Sequence, residues 1–110
     1  MKLTKEKVEE ITAQVYKDLN IYHSDKYPVE CTFIENDDEF KRAIWATGYD
    51  YRDPEAVGDK INYGEYPEYI ISIDDEKGEA IAYHYYTGHV EIRLNKGTGK
   101  YEEVKQMYRL

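Results

Sequence analysis

The strongest constraint on how this chain folds lies in residues 69–94, where side chains alternate between apolar and polar across two turn signals. Alternation of this kind belongs to strands with one buried face. The first turn signal is Asp74-Asp75-Glu76-Lys77-Gly78-Glu79. A loop over Glu76-Lys77-Gly78, with the glycine left-handed and a bulge after it, sets Asp75 opposite Glu79 and Ile73 opposite Ile81. Ile71 then meets Tyr83, and Tyr69 meets Tyr85. A slip of one residue would mix the two faces.

The second turn signal is Tyr86-Thr87-Gly88-His89. A two- or four-residue loop here pairs Tyr85 with Val90, Tyr83 with Ile92 and Ile81 with Leu94. Thr87 suits positive φ poorly, which favours the four-residue form built on a type I turn. One face of the meander then carries Tyr69, Ile71, Ile73, Ile81, Tyr83, Tyr85, Val90, Ile92 and Leu94. Burying each of these yields roughly 1.5–3 kcal/mol, so this face must be covered. The other face carries Ile70, Ser72, Ala80, Ala82, His84, Tyr86, His89, Glu91 and Arg93.

Residues 4–19 supply the cover. Val8, Ile11, Thr12, Val15, Tyr16 and Leu19 recur at helical spacing, Thr4 caps the start, and Asn20 ends the helix as a left-handed residue. A helix laid on one face of an antiparallel sheet is the simplest two-layer solution, which makes the chain α+β. Residues 29–34 read as a further strand, with Val29, Cys31 and Phe33 on its inner side. Asn36 and Glu39 form a capping box before Phe40, Ala43, Ile44 and Thr47, so the spacing predicts a short second helix over 37–47. A strand over 40–49 is the rival reading, given the β propensity of Ile-Trp-Ala-Thr. Residues 101–109 read as a C-terminal helix with Tyr101, Val104 and Tyr108 inward. The expected architecture is therefore an N-terminal helix packed on an antiparallel β-meander of three to five strands, plus those two short helices. At 110 residues the chain is expected to form a single domain, 1–110.

Composition narrows function by exclusion. The formal charge of −8 disfavours a nucleic-acid partner, whose phosphates are neutralised by Lys and Arg, and it disfavours anionic lipid. No apolar run approaches the roughly 20 residues that a membrane span needs. A lone cysteine, Cys31, allows no internal disulfide. With no apolar leader at the N-terminus, a cytoplasmic location is the simplest expectation.

Residues 48–68 read as a long loop rich in acids and tyrosines. Asp53-Pro54-Glu55-Ala56-Val57-Gly58 fits one capped helical turn, and residues 60–63 fit a short strand. Over residues 35–68, ten acids stand against four bases, which places six of the eight net negative charges there. Loops of this length in small domains usually carry function or disorder, and tyrosines are enriched at binding hot spots. Tyr49, Asp50, Tyr51, Asp53, Glu55, Asp59, Tyr63 and Tyr66 are therefore expected to bind a basic protein surface. This is the physics of a small acidic inhibitor or immunity-type protein, bacterial or phage-encoded, steered onto a cationic site. Homodimerisation through an exposed edge strand or the second sheet face is compatible with this reading and with the alternative one.

Enzymatic signatures are sparse. Gly97-Thr98-Gly99-Lys100 resembles the end of a phosphate-binding loop but lacks the earlier glycine and the following Ser or Thr. Asp50, Asp53 and Glu55 lack the glycine-centred spacing of a calcium loop. The alternative working surface is the polar sheet face of His84, Tyr86, His89, Glu91 and Arg93, with His84 opposite Glu91 in the derived register. A His–Glu pair can act as a general base or as two metal ligands. It can equally be a cross-strand polar pair worth roughly 0.2–1 kcal/mol. Too few further ligands accompany it, so no metal and no cofactor are expected, and a non-enzymatic protein is favoured.

Overall fold

The computed structural model describes residues 1–21, 29–49, 69–85 and 88–108. Helix α1 (Lys5–Asp18) is followed by strands β1 (Val29–Ile34), β2 (Ile44–Tyr49), β3 (Tyr69–Asp74), β4 (Glu79–Tyr85), β5 (Gly88–Asn95) and β6 (Lys100–Tyr108). The strands form one antiparallel sheet in the order β1-β2-β3-β4-β5-β6. The α+β class and the N-terminal helix stand as expected. Among the described residues the sheet has six strands rather than three to five, and neither of the two short helices forms.

The helix forms where its periodicity placed it. Thr4 accepts a hydrogen bond from the Lys7 N–H, and Asn20 takes a left-handed φ of 57°. Val8, Ile11, Thr12, Val15 and Tyr16 are buried. Its apolar stripe lies on Trp45, Ile71, Ile73, Ala80, Val90, Ile92 and Tyr101, with Cys31, Phe33, Tyr69, Tyr83 and Leu94 at the margin. Thr12 donates to the Val8 carbonyl, and its hydroxyl lies 2.6 Å from that of Thr47. The Thr47 hydroxyl also reaches the Ile71 carbonyl at 3.4 Å, so the two threonines tie the helix to the middle of β2 and to β3. Gly48 is needed beside it. A Cβ there would lie 2.6 Å from the Tyr69 carbonyl oxygen, to which the Tyr16 hydroxyl also donates.

The first hairpin keeps two of its expected pairs, Tyr69 with Tyr85 and Ile71 with Tyr83. Between Ser72 and Ile73 the register shifts, so Ile73 meets Ala80 rather than Ile81, and Asp74 meets Glu79. Ile81 is the extra residue of a bulge, and the small Ala80 takes its place in the core at 1% exposure. The loop is thus the four residues between Asp74 and Glu79, with Gly78 left-handed as expected.

The second hairpin is offset by two residues from its expected register. Tyr83 pairs with Val90, His84 with His89 and Tyr85 with Gly88. An even offset keeps every side chain on its face, so alternation cannot detect it. The expected pairs do not form: the offset gives Tyr83 to Val90 instead of Ile92, and Ile81 lies beyond the last pair, Ala82 with Glu91. Beyond that point Tyr101 of β6 reaches under β5, and its hydroxyl accepts the Ala80 N–H at 3.0 Å.

Residues 37–42 are a tight turn and β2 follows it, which corrects the expected helix over 37–47 and bears out the strand reading of its second half. Asp37, not Asn36, does the capping: its Oδ1 accepts the Glu39 and Phe40 N–H groups at 2.9 and 3.0 Å. Residues 100–108 form β6, not a helix. Tyr101 points inward, but Val104 is 48% exposed where β6 bulges against Glu91 and Ile92.

Three turns share one construction. In 37–42, 74–79 and 95–100, the first residue is Asp37, Asp74 or Asn95, and its Oδ1 accepts the N–H groups two and three positions on. The fifth residue donates its N–H to the first residue's carbonyl and is left-handed: Lys41 at φ 59°, Gly78 at 70° and Gly99 at 74°.

Candidate functional site

The acidic, tyrosine-rich stretch of Asp50, Tyr51, Asp53, Glu55, Asp59, Tyr63 and Tyr66 lies outside the described residues, as do the expected helical turn at 53–58 and the strand at 60–63. Tyr49 closes β2, in register with Val29. Of the alternative face, Tyr86 also lies outside the described residues.

The remaining four separate into two groups. Arg93 pairs with Glu102 of β6 at 2.8 Å. Arg93 and then Asn95, as hydrogen-bond donors, hold that carboxyl below its ordinary value. Glu91 is exposed and stands opposite Ala82, not His84. His84 and His89 are brought together as direct cross-strand partners, their ring centroids 5.3 Å apart.

The third member is one that the sequence reading did not connect to them. The 37–42 turn carries Glu39 over the second sheet face. One carboxylate oxygen of Glu39 lies 3.4 Å from His89 Nδ1 and the other 3.7 Å from His84 Nε2. The adjoining Phe40 ring sits edge-on to His84, with centroids 6.4 Å apart. The side chains of His84, His89 and Glu39 are 27%, 10% and 30% exposed. His89 Nδ1 is buried and, despite the nearby carboxylate, has no hydrogen bond of proper geometry. Burial pushes the His84 imidazole below its ordinary value of 6.5; His89 pushes the same way, and Asp37 opposes both. The hint in the sequence was the repeated Asp-Asp-Glu at 37–39 and 74–76, which marks 37–42 as a turn able to fold back rather than a helix start.

Chemically, this cluster can hold or pass a proton among two imidazoles and a carboxylate. Among the described residues no group of three or more His, Cys, Asp or Glu is disposed to hold a metal ion. The other buried ionisable groups serve the fold. Asp75, 2% exposed, accepts from the Lys2 and Leu3 N–H groups and from Trp45 Nε1. Asp74 pairs with Arg42 at 2.8 Å. Among the described residues no helix is long and apolar enough to cross a membrane. The chain matches no protein-family model, no curated protein and no solved structure.

Proposed function

We propose that this protein is a small acidic, non-enzymatic interaction module that binds a basic protein surface. The observation that carries this reading is the segregation of charge: residues 35–68 hold ten acids against four bases in a chain whose net charge is −8. Within that stretch Glu35 and Asp38 are exposed, and Glu39 is 30% exposed. Asp74 and Asp75 are engaged inside the fold, whereas Glu35 and Asp38 stand at the surface, and by sequence six further acids fall within 50–68. An array of carboxylates set among tyrosines steers a cationic partner and gives it aromatic anchors.

The test is capture from native lysate at low and high salt, followed by direct binding measurement with the purified partner. The wild type is compared with a variant carrying Asp50→Asn, Asp53→Asn, Glu55→Gln and Asp59→Asn. A partner held by wild type, weakened by salt and lost by the variant supports the reading. Binding indifferent to both salt and the variant overturns it.

A second reading, a small-ligand or proton-transfer site, is favoured by one observation, the contact of Glu39 with both imidazoles. It predicts that His84→Ala abolishes function while the four loop neutralisations leave it intact.

A further inference from the structure

The cluster of Glu39, His84 and His89 has a property independent of any partner. One carboxylate serves two imidazoles whose centroids are 5.3 Å apart, beneath a turn that also sets Phe40 against His84. A single proton on either ring is matched by Glu39. A second proton places two cations side by side at a mostly buried position, where desolvation penalises each of them. The turn above is the part free to yield. It has a left-handed lysine at its fifth position, and its backbone N–H groups bond within the turn, to the Asp37 carbonyl, Asp37 Oδ1 and the Arg42 carbonyl, while Arg42 at its end stays anchored to Asp74 as the hinge.

We propose that the 37–42 turn is an acid-sensitive latch, shut over His84 and His89 while at most one of the two imidazoles is protonated and opening when both are.

The charged groups facing the pair among the described residues are Glu39 and Asp37 from the turn; β3 contributes Ile70, opposite His84. The sign follows from burial. His84 resists protonation when the latch is shut, so the closed state is fully favoured above the ordinary imidazole value of 6.5 and loses ground as pH falls below it. Opening lifts Glu39 and Phe40 from the sheet and moves the acids of the turn. The latch does not depend on the interaction reading.

Amide hydrogen exchange read at Asp37, Glu39, Phe40 and Lys41, corrected for intrinsic exchange, tests this between pH 7.5 and 5. These N–H groups are the donors within the turn. Below pH 6.5 their opening constant rises, approaching about tenfold per pH unit, the limit for one proton taken up on opening. Glu76, Lys77 and Gly78, in a turn of the same construction with no histidine against it among the described residues, serve as the internal control and stay flat. His84→Phe removes the proton site but keeps a buried ring, and it flattens the response at the 37–42 turn. Glu39→Gln keeps both imidazoles and removes their counter-charge, and it steepens the response. Equal pH dependence in wild type and His84→Phe, or protection that ignores pH, overturns the latch. If His84→Phe does not fold, as judged by circular dichroism, Glu39→Gln decides alone: an unchanged or shallower response overturns the proposal.

Discussion

The turns at 37–42 and 74–79 begin with the same three residues, Asp-Asp-Glu, and share one backbone construction, yet they do different work. At 74–79 the acids look inward. Asp74 is 1% exposed and pairs with Arg42, itself the last residue of the other turn. Asp75 is 2% exposed and gathers the N-terminal backbone and the Trp45 indole. At 37–42 the corresponding Asp38 is exposed, and the third residue, Glu39, reaches the two histidines. The fifth position separates them again: Gly78 is left-handed without steric cost, whereas Lys41 bears that cost. One turn is a structural knot. The other, anchored at its end by Arg42 on Asp74, carries a strained left-handed lysine and has ionisable groups beneath it, the arrangement in which strain is usually stored near function.

The largest difference between the two turns is expected at their second positions. Asp75→Ala strands the buried Trp45 Nε1–H and removes the acceptor of the part-buried Lys2 and Leu3 N–H groups, and it should cost about 2–4 kcal/mol in urea unfolding. Asp38→Ala, its counterpart, should stay within about 0.5 kcal/mol. Equal effects would mean that the inward and outward roles assigned here are wrong.

The same contrast governs the acid limb of stability. Burial raises the Asp75 carboxyl, but hydrogen bonds from Leu3, Trp45 and Lys2 together hold it below its ordinary 3.8. Burial likewise raises Asp74, and Arg42 with the Lys77 and Glu76 N–H groups outweighs it. Groups with depressed folded values contribute stability that is present above 3.8 and lost as pH falls through the folded values. Urea midpoints followed from pH 5 downward should therefore fall less steeply in Asp75→Asn than in wild type.

These turns also show where the sequence was readable and where it was not. The helix and the core of the first hairpin were legible because Val8, Ile11, Val15 and Tyr16 keep a helical period, while Ile71 and Tyr83 keep a strand period. The turns were not, because an Asp or Asn side chain accepting the next two free N–H groups is the chemistry of both a helix N-cap and this turn. One construction thus passed as a helix start at Asp37 and a three-residue hairpin at Asp74. Bulges concealed more. Val104 interrupts the alternation of β6 and leaves Tyr101 and Val104 at a helix-like spacing. At the candidate site, His84 and His89 were legible as residues of a polar face. Their pairing was hidden by a two-residue offset that alternation cannot register, and Glu39 was hidden by the helix assigned to it.

The smallest effects are expected at the fifth position, where the two turns can be exchanged residue for residue. A left-handed residue with a Cβ costs roughly 1–2 kcal/mol, and glycine gives back roughly 0.5–1 kcal/mol of that through its more flexible unfolded chain. Gly78→Ala should therefore destabilise by about 0.5–1 kcal/mol; a Cβ there meets only Leu3 Cδ2, at an ordinary 3.6 Å, so the loss is conformational rather than steric. Lys41→Gly should stabilise by a similar amount, about 0.5–1 kcal/mol, for the same reason with the opposite sign. If the two turns are equivalent backbones, the two shifts in urea midpoint are equal and opposite. A gain at Lys41 clearly smaller than the loss at Gly78 would mean that the lysine side chain contributes a contact of its own, and that the 37–42 turn is held less by its backbone than by what it touches.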